Sequence, residues 1–143
     1  MHTAFNIGCD EAEHVIAAAA REAAQMGVPQ NIAIVDAAGH LVAFRRMDGA
    51  KFTSIEIAVA KAFSASGAQV ETRAIAPRTL PGEPGFGLQN LHGGRFTTLA
   101  GGIPLRVAGQ VVGAIGVSSG STFQDQQVAE AGAAAFDALG LSG

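Results

Sequence analysis

Two matched blocks, Asn31 to Ala50 and Ala100 to Gly120, constrain this chain more than any other feature. Each is an apolar run, a short turn containing glycine, and a second apolar run, the pattern of a β-hairpin. In the first, Asp36 opens the turn and Gly39 closes it at the position where a left-handed residue completes a short loop. In the second, Ala108 and Gly109 separate Ile103–Val107 from Gln110–Val117. Hairpins join neighbouring strands without a crossover, so the sheet they build is mostly antiparallel.

Helices are predicted around these blocks. Asp10 and Glu13 offer a capping pair, and Ala-rich sequence up to Gly27 and Pro29 predicts a helix over about 11–26. Its apolar stripe is Ala12, Val15, Ile16, Ala19, Ala23 and Met26, with His14 on the solvated face. Thr53 and Glu56 start a second helix that reaches about Gly67, with Ile55, Ala58, Val59, Ala62 and Phe63 as its stripe. Ile57 falls outside that stripe, which suggests a second packed face, on a neighbouring subunit for instance; a lone exposed Ile is the plainer account. Ser121 and Gln124 cap a last helix carrying Val128, Ala131, Ala135 and Leu139 on one side and stopped by Gly140. With a further short strand over 96–100 the order is α, β, β, α, loop, β, β, β, α. This predicts one α/β (α+β) domain over residues 1–143, an about five-stranded, mostly antiparallel sheet with helices packed against it. Residues 69–95 are rich in glycine and proline and nearly aperiodic, and are read as an ordered excursion over the sheet or into a subunit contact.

Composition removes several function classes. A net charge of −3 with scattered Lys and Arg provides no footprint for nucleic acid and no polybasic membrane patch. No apolar run approaches the ~20 residues that span a bilayer, and the N-terminus lacks the basic and apolar regions of an export signal, so a cytoplasmic location is expected. Cys9 is the only cysteine, which excludes an intrachain disulfide.

The run Val35–Gly39, then Arg46–Ala50, Lys61 and Ala62, Gly101–Pro104, Gly113–Ser118, and finally Asp125, Val128 and Ala129 resembles the GlcG/HbpS family. The similarity covers nearly the whole chain, with several separated motifs in the right order. The resemblance implies a profilin-like fold with a five-stranded antiparallel sheet and a homo-oligomer. It implies less about chemistry: some relatives bind haem, one branch is linked to haem degradation, and another forms the C-terminal part of a cobalamin adenosyltransferase. Exported relatives carry a signal, and its absence from these first residues makes an extracellular role the less expected one.

Haem requires an axial donor and an apolar slot. Tyr is absent, and of His2, His14, His40 and His92 the last is preferred, because it sits in the Asn90–Arg95 segment close to Gly101 and Gly102. Those two glycines would let a ligand or another backbone approach closely; tight sheet packing explains them equally well. Arg46 and Asp48 alternate with Val42 and Phe44 on one predicted face, where they could orient and protonate a carbonyl or carboxylate substrate, or simply pair with each other. Lys61, at the margin of its helix stripe, could hold an anion or act as base or nucleophile, or could snorkel to solvent. No His-x-x-His or Glu-x-x-His spacing marks a metal site. The sequence therefore supports an oligomeric small-molecule-binding protein with haem as leading ligand. A cofactor-independent isomerase or lyase built on Arg46, Asp48 and Lys61, and a non-catalytic accessory subunit, stay open beside it.

Overall fold

The computed structural model describes residues 1–143. Helix α1 (Cys9–Met26) leads into the hairpin β1 (Asn31–Asp36) and β2 (Leu41–Arg46), then helix α2 (Ser54–Ala68) and the short helix α3 (Thr72–Ile75). After an excursion of single helical turns come β3 (Gly102–Val107), β4 (Gln110–Ser118) and helix α4 (Thr122–Asp137). The sheet has four strands in the order β2-β1-β4-β3, every neighbouring pair antiparallel. Helices α1 and α4 cover one face and α2 the other.

The expected fifth strand at 96–100 does not form, because its backbone is satisfied by side chains instead of a ladder. The Thr97 N–H donates to Ser64 Oγ on α2 at 2.9 Å, and the Leu99 carbonyl accepts from Thr72 Oγ1 on α3. Helix α1 begins slightly earlier than predicted: Gly8 is its N-cap, and Glu11 reaches back to accept the Gly8 N–H at 3.1 Å. Its stripe is as predicted except that Met26 is only half-buried, and His14 is exposed.

The other two helices are rotated from their predicted stripes. On α4 the buried set is Asp125, Gln126, Val128, Ala129, Gly132 and Phe136, so Ala131 and Ala135 lie at the margin and Leu139 beyond the helix end. On α2 the sheet side consists of Ala58, Lys61, Ala62 and Ala65, while Ile55, Val59 and Phe63 are only half-buried. Strand β4 explains that rotation. A Cβ on Gly116 would collide with the Ala58 carbonyl and the Ala62 backbone, so helix and strand touch main chain to main chain and only alanine fits between them. Ala33, Val35 and Ala114 complete this thin layer. The opposite layer is thick, with Ile32, Ile34, Leu105, Ile115 and Val117 of the sheet against Val15, Ile16, Val128 and Phe136.

A register shift in the β1–β2 pairing also breaks the predicted alternation of β2. Phe44 packs beside the α2 layer, whereas Val42 joins the thick core. No helix of the molecule is long and apolar enough to cross a membrane.

Candidate functional site

The close seating of α2 turns Phe63 away from the sheet and towards the β1–β2 turn. That turn accepts the ring because Gly39, at φ +86°, has no side chain there; a Cβ would lie 2.8 Å from Phe63 Cδ2. From the other side the excursion brings His92, Arg95 and Phe96. His92, Gly93 and Gly94 occupy successive left-handed conformations, at φ 55°, 65° and 81°, which reverse the chain within three residues. A non-glycine residue adopts that geometry at a cost, and His92 is one of four that do so in this molecule.

Together these residues enclose a cleft of about 660 Å³, lined by His40, Phe63, Leu88, His92, Arg95 and Phe96 among others. The His92 ring meets Phe63 edge-on, with centroids 5.3 Å apart and planes at 75°, and stacks on Phe96 at 6.5 Å and 27°. The Arg95 guanidinium lies 4.3 Å over the Phe63 ring, and its Nε donates to the His92 carbonyl at 3.3 Å. Neither His92 nitrogen hydrogen-bonds another residue. His40 stands on the opposite wall, its Nδ1 3.8 Å from Asp36 Oδ2. The cleft continues along α2 past Val59 and Ile55. A second, more polar cleft over the α4 N-terminus holds Arg73, but Glu71 and Glu130 already engage that guanidinium at 2.9 and 3.6 Å.

Lys61 lies elsewhere. It leaves α2 beside the start of β3 and is 1 % exposed; its Nζ donates to the Val117 carbonyl and to Asp125 Oδ2, each at 2.8 Å. The other Asp125 oxygen accepts the Gly120 N–H at 3.0 Å. Burial, the dominant influence, holds the Lys61 ammonium below its ordinary value of 10.5, with the Asp125 hydrogen bond and charge acting against it. The pair joins the two helical layers past the edge of the sheet.

Gly101 and Gly102 cover that pair. The Gly101 N–H donates to Gln126 Oε1 at 3.0 Å and the Gly102 N–H to Thr72 Oγ1 at 3.0 Å. A Cβ on Gly101 would lie 3.2 Å from Lys61 Nζ, and one on Gly102 2.6 Å from Thr72 Cγ2. Both glycines are buried and neither lines the His92 cleft. Arg46 and Asp48 are exposed at the far end of β2 and make no ion pair, with each other or with any other residue.

Of the six residues preferred as site residues in the sequence, Arg46, Asp48, Lys61, His92, Gly101 and Gly102, only His92 thus reaches the cleft; His40, a histidine passed over, lines it too, with Phe63, Arg95 and Phe96. Phe63 was hidden because an apolar residue at helical spacing reads as core. Asp125 was legible in principle, as a carboxylate spaced with Val128, Ala129 and Gly132 on one helix face. No three His, Cys, Asp or Glu side chains cluster as a metal site would need.

Known proteins match this architecture closely. Klebsiella pneumoniae protein ORFY superposes with a TM-score of 0.94 at 32% identity, covering 96% of this chain and 95% of that one. The crystal structure of a PduOC:haem complex superposes at 0.87, also 32% identical, over 91% of this chain and 94% of that one. GlcG of Escherichia coli is 36% identical over 118 residues, 82% of this chain and 85% of its own length. A family model described as haem degrading protein HbpS-like matches residues 7–134, and this chain belongs to that HbpS-like family.

Proposed function

We propose that this protein binds haem in the His92 cleft. The observation that carries the reading is His92 itself: an imidazole with both nitrogens unengaged, held between two phenylalanine rings at the mouth of a 660 Å³ cleft. The donor set fits the group. His92 is an axial donor, Phe63, Leu88 and Phe96 offer apolar surface to a macrocycle, and Arg95 supplies a cation for acidic substituents. His40 on the facing wall is a second imidazole within the same space. Bound haem would supply iron-centred ligand and redox chemistry, and the chain's own part is to seat the ring and shield one face from water. The PduOC:haem complex, at 32% identity over 91% of this chain, supports the same ligand.

A cytoplasmic homo-oligomer is part of this reading. The exposed Phe52, beside the half-buried Ile55 at the start of α2, supports a contact between copies. Proton-transfer chemistry at Lys61 has less to support it, because that ammonium is enclosed and committed to Asp125 and Val117.

Titration with haemin tests the proposal. A shifted Soret band that saturates at one haemin per chain is expected at micromolar protein, and His92→Ala should change the band or abolish it. An unshifted spectrum for the wild-type protein overturns the haem reading.

A further inference from the structure

We propose that Arg95 determines ligand specificity in the cleft, selecting flat ligands that carry a carboxylate over neutral ligands of the same shape. The inference rests on the cleft reading above and goes further, to the chemical group the ligand must present.

Arg95 is the one charged side chain among the cleft's lining residues apart from the titratable histidines, and no Asp or Glu lines it. None of the molecule's ion pairs includes Arg95. Glu56 shares the adjoining groove along α2 with Arg95, yet does not come within ion-pair distance of it. The guanidinium is nonetheless placed: Nε donates to the His92 carbonyl at 3.3 Å, and Cζ rests over the Phe63 ring 4.3 Å from its centroid.

A guanidinium offers five N–H donors in a fixed fork. Here one is engaged by a hydrogen bond within the protein, and the other four have no protein partner. A flat ligand entering the cleft competes with the guanidinium for the Phe63 face. A neutral ligand gains the ring and displaces a cation–π contact with no replacement. A ligand with a carboxylate at its edge gains the ring and offers the displaced fork a bidentate, charge-assisted partner, which is the stronger of the two interactions. Arg95 therefore disfavours the neutral ligand and favours the acid, the two halves of specificity. Lysine could not reproduce this fully, because an ammonium has the charge without the planar fork.

Metal-free protoporphyrin IX and its dimethyl ester separate this effect from any bond to iron. Binding of each to wild type, Arg95→Ala and Arg95→Lys is read by porphyrin fluorescence, with haemin binding read by the Soret band and thermal melting confirming that every variant folds. Wild type should bind the diacid roughly tenfold more tightly than the diester. Arg95→Ala should erase that preference by weakening the diacid while leaving the diester as tight or tighter, and Arg95→Lys should restore it in part. Equal binding of diacid and diester by wild type, or an unchanged ratio in Arg95→Ala, overturns the role of Arg95 and leaves the cleft reading intact if haemin still binds. Failure of the wild-type protein to bind haemin and both porphyrins removes the cleft reading and this inference together.

Discussion

A lysine and an aspartate, 1 % and 3 % exposed and 2.8 Å apart, are the most consequential residues outside the cleft. Removing one partner strands a charge in the interior, which typically costs about 3–5 kcal/mol. Lys61→Met should therefore lower unfolding stability by that order in urea, whereas Lys61→Met combined with Asp125→Leu should recover most of the loss. The pair also leaves a pH signature. Because burial depresses the Lys61 ammonium below 10.5, the unfolded chain holds that proton more firmly than the folded one. The Lys61 contribution to stability therefore rises as pH climbs through the interval beneath 10.5. Stability measured from pH 8 upwards should show this slope in wild type and lack it in Lys61→Met. Gln30 is the opposite case, fully buried with neither amide atom partnered within the protein. Gln30→Leu should hold or raise the melting temperature, since it removes an unpaired amide without opening a cavity. A fall of several degrees would mean the amide is held by ordered water.

At the scale of elements, α2 decides where the site can be. Its contact with β4 is main chain against main chain, so Gly116→Ala should cost about 1–3 kcal/mol in chemical denaturation, or prevent folding. Gly67, on the same helix but with open space where its Cβ would go, gives the contrast. Gly67→Ala should stabilise by about 0.5–1 kcal/mol. This seating is also what the sequence concealed. Both hairpins and three long helices were legible, because period and turn chemistry are local. The rotation of α2 was not, because it depends on Gly116 and Gly102, distant in the chain, lying against the backbone of Ala58 and Ala62 and of Lys61 respectively. The same rotation sent Lys61 inward to Asp125 and Phe63 outward to His92. The residues 96–100 read as a strand because β-propensity does not reveal that Ser64 and Thr72 satisfy their backbone. Of the site, His92 could be picked out as the histidine in the glycine-rich excursion, whereas its aromatic neighbours needed the fold to bring them together.

Across the whole molecule, the cleft has three separate walls: the β1–β2 turn, α2, and the excursion that returns to β3. Tightening one wall should be felt in the others. Gly39→Ala places a methyl group against Phe63 and strains a left-handed turn, so haemin affinity should fall while far-ultraviolet circular dichroism stays close to wild type. The excursion differs from the other two walls in how it is held. Its turns close largely on themselves, through hydrogen bonds such as Gly85 to Arg78, Leu88 to Gly85 and Gly94 to Leu91. Its return to the body is fastened by the hydroxyls of Ser64 and Thr72 and by the buried Phe96. A segment built this way behaves as a cassette. Substitutions at its exposed turns should then change what the cleft accepts while the frame that carries it, and the glycines on which that frame depends, stay untouched.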